Sequence, residues 1–111
     1  MLRIGRENEI ELTRGDTAYL TVPITDEATG EEYIMDAADV LTLTVRRTAL
    51  DAAVYIQKTV EGTNKFCIGP MDTANMDFGR YRYDVQLTRA NGDVHTVIVP
   101  TVFRVCEEVT Y

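Results

Sequence analysis

The sequence predicts one all-β domain over residues 1–111, built from about seven to nine short strands in two facing antiparallel sheets. Three observations predict it. Apolar and polar residues alternate with a period of two along much of the chain, without an apolar stripe of helical period. Glycine, asparagine and aspartate separate the alternating runs at short intervals. The length of 111 residues and the apolar content of 45% suit a single hydrophobic core.

Four strands are predicted in the first half of the chain, over residues 9–13, 17–25, 33–35 and 40–46. The clearest is the last, where apolar side chains would point inward and polar ones outward: Leu41, Leu43 and Val45 against Thr42, Thr44 and Arg46. Pro23 cannot donate a ladder hydrogen bond, so its strand is expected to lie beside a sheet edge or to contain a bulge. A turn is predicted at 26–31, and a turn or a single helical turn at 36–39.

Four further strands are predicted in the second half, over residues 53–58, 65–68, 80–89 and 94–105. Pro70 ends the strand before it, and one short helical turn is expected near residues 71–77, with Asp72 as its amino-terminal cap. Asn91 and Gly92 predict a hairpin turn with positive φ at both central positions. Pro100 interrupts an apolar run, which predicts a bulge or a switch between sheets.

The segment Asp77-Phe78-Gly79-Arg80-Tyr81-Arg82-Tyr83 resembles the D-x-G-x-Y-x-C stretch with which immunoglobulin-type domains enter their sixth strand. The resemblance implies that Tyr81 packs inward at a corner between strands and that its hydroxyl bonds to a nearby backbone group. Tyr83 stands in the place of the disulfide cysteine, which excludes the antibody-type variant. The alternative is an ordinary amphipathic strand with two stacked tyrosines. The predicted fold is an immunoglobulin-like β-sandwich, with this structural motif: Asp77, Gly79, Tyr81 and Tyr83.

Charge and cysteine content narrow the functional classes. Eighteen acidic and eleven basic residues give a net charge of −7, which repels phosphate backbones and anionic membranes, so nucleic acid is not an expected partner. No apolar stretch approaches the ~20 residues of a membrane-spanning helix. Residues 1–7 lack the apolar segment of a secretory signal, so a cytoplasmic location, or export by other means, is expected. Cys67 and Cys106 lack metal-type spacing and are expected to be buried free thiols, with a bridge between them left open.

Candidate reactive residues are few, and no enzyme is predicted. His95 is the only histidine and has no local serine or cysteine partner, so a solvent-facing strand position is expected. Arg14-Gly15-Asp16 spells an integrin-ligand tripeptide, for which a glycine turn between strands is a sufficient explanation. Four carboxylates on one loop lack the alternating spacing of a calcium loop: Asp26, Glu27, Glu31 and Glu32. No catalytic residue, cofactor or metal site is predicted, although a carboxylate pair for glycoside hydrolysis depends on three-dimensional separation.

Several stretches carry a resemblance to a known group of proteins: residues 12–17, 39–46, 71–73, 79–87 and 92–98, followed by Pro100 and Phe103-Arg104-Val105. In this order they resemble the amino-terminal domains of baseplate upper proteins and related tail accessory proteins from bacteriophages and prophages of Gram-positive bacteria. The resemblance implies a non-catalytic building block of a tail tip or baseplate, made in the host cytoplasm and assembled into the virion. The implied partners are other tail proteins or copies of the chain itself, bound through sheet faces or through edges near Pro23 or in the last strand.

Two other functions stay open. A host-surface or carbohydrate-binding module would show an exposed aromatic pair over a shallow groove, drawn from Tyr19, Tyr33 and Tyr55. A small hydrolase would need a carboxylate pair, or His95 in a cleft with a shifted pKa. The sequence leaves open the oligomeric state, the partner, the contact surface, and whether the chain is free-standing or one domain of a longer protein.

Overall fold

The computed structural model describes residues 2–4, 8–26, 28–48 and 53–107, and these ranges contain eight strands and one short helix. The strands are β1 (Leu2–Ile4), β2 (Ile10–Thr13), β3 (Ala18–Thr21), β4 (Val40–Arg46), β5 (Val54–Glu61), β6 (Lys65–Ile68), β7 (Gly79–Thr88) and β8 (Val94–Cys106). The helix α1 (Pro70–Thr73) lies between β6 and β7. The larger sheet has the order β1-β2-β8-β7-β4-β5, and the smaller sheet pairs β3 with β6. The predicted two-sheet, all-β sandwich is confirmed.

The strand order is that of an immunoglobulin-like sandwich. β4, β7 and β8 form the antiparallel centre of the larger sheet, in the places of strands C, F and G, while β3 and β6 take the places of B and E. One pair departs from the predicted antiparallel arrangement, because β2 runs parallel to β8 with Ile10 opposite Phe103. A parallel pair needs a long crossover, and here most of the domain connects the two strands. Local sequence patterns therefore do not reveal the parallel pairing of β2 with β8.

The core lies between the two sheets and is built from the inward faces that the alternation predicts. Leu20, Leu43, Tyr81 and Val85 are all buried. Burying an aliphatic or aromatic side chain contributes roughly 1.5–3 kcal/mol, so this shared interior dominates the stability of the fold. β4 has its predicted bounds. Thr44 was expected to face solvent, but it is buried, and Gln57, which lies opposite it on β5, donates a hydrogen bond to its hydroxyl over 3.4 Å.

Residues 33–35 do not form the short strand that was predicted after the polar turn. The ladder there is a single bridge between Thr25 and Glu32, followed by a backbone hydrogen bond of 2.8 Å from Tyr33 to Ile24. The preceding strand is also shorter than predicted, because β3 ends at Thr21 instead of continuing to residue 25. A proline two residues later cannot donate to a ladder, so the pairing does not extend.

The helix starts earlier and is shorter than predicted. It covers Pro70–Thr73, with proline at the first helical position, where its missing amide hydrogen costs nothing. Asp72 is therefore the third helical residue instead of the cap, and its carboxylate accepts a hydrogen bond of 2.7 Å from the Gly69 amide. The same carboxylate forms an ion pair of 2.9 Å with Lys58 on β5. No helix in the described part of the chain is long and apolar enough to cross a membrane.

The hairpin between β7 and β8 has a three-residue loop. Gly92 donates to the carbonyl of Arg89 over 2.9 Å, and Arg89 donates to the carbonyl of Asp93 over 2.8 Å. Ala90 and Asn91 are therefore the central residues of the turn, and positive φ falls on Gly92 alone, at 94°. The prediction of positive φ at Asn91 is wrong, because its side-chain oxygen instead accepts the Asp93 amide hydrogen over 3.0 Å.

Pro100 lies in a bulge of β8, which is one of the two predicted alternatives. Between the facing pairs Tyr83–Thr101 and Val85–Ile98, β8 holds two residues and β7 holds one. The strand remains in the larger sheet on both sides of this point, so it does not switch sheets. The bulge supplies the place in which a proline is tolerated within a ladder.

The two cysteines are free thiols, with Cys67 exposed and Cys106 half-buried. The expectation that both are buried is wrong for Cys67. Its strand alternates between exposed and buried positions, and Phe66 and Ile68 occupy the inward ones. Cys67 therefore points away from the core.

Candidate functional site

A groove of about 550 Å³ opens at one end of the sandwich, between residues 23–26, 28 and 33 on one side and the β7–β8 hairpin on the other. We call it the hairpin groove. Its floor includes the buried side chains of Ile24 and Leu87, and its rim includes Tyr33, Arg89 and His95. Apolar and polar groups both line the groove, and a concave surface with convergent polar groups is a candidate ligand site.

The rim of the hairpin groove carries one stacked cation. The guanidinium carbon of Arg89 lies 5.7 Å from the centroid of the Tyr33 ring, within the range of a cation–π interaction. His95 is exposed and faces Leu87 across the ladder, so it takes the predicted solvent-facing position and also lines the groove. The rim can therefore offer hydrogen-bond donors and one aromatic ring to a ligand.

Asp39 accepts hydrogen bonds from both sides of the hairpin groove. Its side chain is fully buried, and one carboxylate oxygen accepts the Tyr33 hydroxyl over 2.5 Å and the Asp36 amide over 3.0 Å. The other oxygen accepts the amide of Ala90, in the hairpin loop, over 3.0 Å. A single carboxylate thus fixes the position of the hairpin tip relative to the segment before β4.

The hydrogen bonds of Asp39 set its charge state. The Tyr33 hydroxyl, followed by the backbone amides of Asp36 and Ala90, lowers the pKa of the Asp39 carboxyl, while desolvation opposes this effect. The bond to Asp39 in turn raises the pKa of Tyr33. The pair therefore holds an ionised carboxylate and a neutral phenol at neutral pH. A buried carboxylate with its oxygens occupied in this way is structural in character.

The motif residues lie at the other end of β7. Tyr81 is buried, and its hydroxyl donates to the backbone oxygen of Asp77 over 2.9 Å, which is the hydrogen bond that the resemblance to a tyrosine corner predicts. Gly79 has a φ of 130°, which favours glycine. The ring of Tyr81 packs edge-on against Tyr55, with centroids 5.1 Å apart, and Arg47 lies over its face at 4.6 Å.

Tyr83, in the place of the disulfide cysteine, fills the centre of the sandwich. Its ring packs edge-on against Phe103, with centroids 6.1 Å apart, and its hydroxyl donates to the backbone oxygen of Asn8. Burial raises the pKa of Tyr83 to about 12. The phenol connects the segment before β2 to the core, so the motif residues serve the fold.

The other sequence candidates lie apart from one another. In the Arg14-Gly15-Asp16 turn, the Gly15 amide donates to the buried Thr73 hydroxyl over 2.9 Å, and Arg14 stacks on Phe78 at 4.3 Å. Among the predicted loop carboxylates, Asp26 accepts a bond of 2.9 Å from the amide two residues on, while Glu27 lies outside the described residues. Nowhere in the described part of the chain do three or more His, Cys, Asp or Glu residues cluster in a way that could hold a metal ion.

The three tyrosines considered for glycan binding lie on different elements. Tyr19 is 76% exposed on β3, Tyr55 lies on β5 against Tyr81, and Tyr33 lines the hairpin groove. The ring contacts of the described residues join no two of these three tyrosines. The groove therefore has one of these aromatic rings instead of the pair that the sequence suggests.

The outer face of the larger sheet carries a cluster of four arginines, which we call the arginine face: Arg46 on β4, Arg80 and Arg82 on β7, and Arg104 on β8. The register places Arg46 directly opposite Arg82, and Arg80 directly opposite Arg104. Their strand neighbours are buried, so these side chains point away from the core. Like charges directly opposite each other destabilise a ladder, so the fold itself gains nothing from this arrangement.

Two carboxylates accompany the arginine face. Glu11 on β2 pairs with Arg104 at 3.8 Å, and Asp84 follows Arg82 on the same face of β7. Four positive and two negative side chains leave a local excess of two positive charges on a chain whose net charge is −7. This face is therefore electrostatically different from the rest of the molecule.

Comparisons with protein-family models, with curated proteins and with solved structures find no significant match to this chain. The fold and the surfaces described above therefore carry the functional argument.

Sequence reasoning missed the hairpin groove, the role of Asp39 and the arginine face. The arginines were visible only as outward positions of separate strands, because their convergence depends on the register between β4, β7 and β8. The signal at Asp39 is weaker still, since an aspartate before a strand is compatible with an ordinary turn.

Proposed function

We propose that this domain is a non-catalytic structural and interaction module, and that it is a component of a bacteriophage or prophage tail or baseplate. The observation that carries the first part is the arginine face. Two pairs of like charges stand opposite each other, Arg46 and Arg82 in the β4–β7 ladder and Arg80 and Arg104 in the β7–β8 ladder, where their repulsion opposes folding. Such an arrangement is explained if the charges are neutralised by a binding partner.

An interaction role agrees with the remaining surface. Within the described residues, β8 from Val94 to Val102 pairs only with β7, because β2 begins to pair with it at Phe103. Val94 and Val99 are exposed on this segment. An unpaired strand edge and a charged sheet face are the two kinds of surface through which β-sandwich modules dock.

The assignment to a phage particle is supported by the order of the sequence stretches that resemble baseplate upper proteins, including residues 39–46 and 79–87. These form β4 and most of β7, and therefore the centre of the larger sheet. In this proposal the chain is made in the host cytoplasm and then assembled into the virion.

Mass spectrometry of virions tests the proposal. Particles would be released from the bacterium that carries the gene, purified by density-gradient centrifugation, and dissociated into tails and heads. We expect the protein in the tail fraction, at a copy number comparable to those of known tail proteins. Its absence from intact particles, or a gene position within a metabolic operon, would refute the phage assignment.

A carbohydrate-binding role is the second candidate, and the hairpin groove favours it. Its aromatic ring at Tyr33 and its donors at Arg89 and His95 are groups that sugars use for stacking and hydrogen bonding. A glycan array with the wild type and Tyr33→Ala tests it, with Tyr19→Ala as the control for loss of an exposed tyrosine. Binding that is lost in Tyr33→Ala and kept in Tyr19→Ala would support this role.

A further inference from the structure

We propose that the arginine face of one copy of the chain binds the acidic turn of a second copy, so that the domains associate head to tail. The acidic turn is defined by Asp26, Glu31 and Glu32, which flank the turn between β3 and β4. The inference rests on the proposed function, because it identifies the partner of an interaction module. It goes further by naming both contacting surfaces.

The two surfaces lie at opposite ends of the domain. Asp26 lines the hairpin groove together with Leu87 and Arg89, near the end of β7. Arg80 and Arg82 lie near the start of the same strand. At about 3.3 Å per residue, Arg80 and Leu87 are about 23 Å apart along β7, so one copy cannot bring its acidic turn onto its own arginine face.

Charge complementarity identifies a second copy as the occupant. The arginine face has a local excess of positive charge, whereas the acidic turn has three carboxylates held on a defined turn. Asp26 accepts the Ala28 amide over 2.9 Å, and a backbone bond of 2.9 Å joins Asp26 to Glu31. Glu31 and Glu32 are both exposed. Arginine and carboxylate groups form the strongest charge-assisted hydrogen bonds available to side chains.

The symmetry of the contact follows from its chemistry. A face-to-face dimer would place two arginine faces against each other and would be disfavoured by repulsion. Contact between two different surfaces is heterologous, and its repetition leads to a ring if the rotation closes and to an open filament if it does not. If each pair of copies makes this contact once, as in head-to-tail association, we expect assemblies larger than a dimer at high concentration.

Sedimentation velocity tests the association over a wide concentration range. We expect the wild-type chain to form species larger than a monomer as concentration rises, and added salt to reverse this, because exposed charges are screened at high ionic strength. The double variant Arg80→Glu/Arg82→Glu should weaken association by at least about tenfold, since it replaces attraction by repulsion. Glu31→Arg/Glu32→Arg should have a similar effect. Lys65→Glu, an exposed charge reversal on the smaller sheet, is the matched control and should leave association unchanged.

Mixing the two double variants is the decisive measurement. Each variant alone has two surfaces of like charge, but in the mixture every contact between unlike copies is again complementary. We expect the mixture to regain association to within a few-fold of the wild type. A wild-type chain that stays monomeric at every concentration, or a mixture that stays monomeric, would overturn the proposal. Thermal melting of each variant establishes that it is folded.

The sedimentation experiment and the mass spectrometry of virions can fail separately. A monomeric chain that is nevertheless found in purified tails would refute head-to-tail association and leave the tail assignment intact. An associating chain that is absent from particles would refute the tail assignment alone.

Discussion

Removal of one hydroxyl group, by Tyr81→Phe, tests whether the domain depends on a tyrosine corner. The Tyr81 side chain is 1% exposed, and its hydroxyl donates over 2.9 Å to the backbone oxygen of Asp77. The substitution keeps the ring, its edge-on contact with Tyr55 and the Arg47 guanidinium over its face. Only the hydrogen bond is lost, so the effect on the free energy of unfolding measures that bond.

The expected loss is about 1 kcal/mol, the usual net contribution of an intramolecular hydrogen bond. Asp77 is itself exposed, so water can reach its carbonyl in the variant, and the larger cost of a buried unsatisfied acceptor is not expected. For a domain of this length, an unfolding entropy of about 2.1 cal/mol/K per residue converts this loss into a decrease of about 4 °C in melting temperature.

Equilibrium urea unfolding, followed by circular dichroism, measures the difference. Tyr19→Phe is the matched control, because Tyr19 is 76% exposed and removal of its hydroxyl should change stability by less than about 0.5 kcal/mol. If Tyr81→Phe and Tyr19→Phe unfold at the same urea concentration, with the same denaturant dependence, the corner hydrogen bond does not stabilise the fold and the reasoning is refuted.

Three further predictions concern strain, pH and charge. Gly62→Ala should lower the free energy of unfolding by at least about 1 kcal/mol more than Gly30→Ala, as measured by thermal melting. The two glycines have similar positive φ, 70° and 73°, but only at Gly62 would the new methyl group meet backbone atoms, at 3.2 Å. The stability advantage of wild type over Tyr83→Phe should shrink from pH 10 to 12, because the unfolded phenol loses its proton near pH 10 and the folded one near 12; equal differences in urea unfolding at pH 9 and 11 would contradict this. Arg82→Thr should raise the free energy of unfolding by up to about 1 kcal/mol, and with it the melting temperature, because it removes the repulsion with Arg46. An unchanged or lower melting temperature would show that this repulsion does not destabilise the sheet.

The sign of the pH prediction follows from linkage. The folded-state pKa of Tyr83 lies above the value of about 10 for an unfolded tyrosine, so the neutral phenol is favoured by folding. Its contribution is fully present below pH 10 and is lost as pH rises toward the folded-state value. Other groups titrate in the same range, and the comparison with Tyr83→Phe cancels their effect.

Elements governed by local alternation could be predicted from the sequence. β4 has the predicted bounds of 40–46, because apolar and polar residues alternate in the sequence from Leu41 to Arg46. Tyr81 was placed correctly because its motif lies within seven consecutive residues. The bulge at Pro100 was expected because a proline cannot donate to a ladder, whatever its partner strand.

Features that depend on distant residues could not be predicted. Asp39 is bonded to Ala90, 51 residues away, and no local pattern specifies that contact. Residues 33–35 are a short apolar run after a polar turn, as a returning strand would be, but the neighbouring segment supplies only one bridge, so no ladder forms. The predicted hairpin at Asn91-Gly92 is present, but positive φ at both of these positions is not, because Asn-Gly suits two turn types and the length of the loop decides between them.

The arginine face also combines features set by local pattern with features set by distant residues. Packing constrains only the inward residues of β4 and β7. At the outward positions, nearly any polar residue is compatible with the fold. Arginines opposite arginines are a poor choice for stability at those positions, and the register that opposes them is set by the inward face alone. The outward face is thus free to carry an interaction without altering the fold. In the proposed association, the stability lost to repulsion there should be recovered when carboxylates of the second copy approach, so that binding would stabilise the fold.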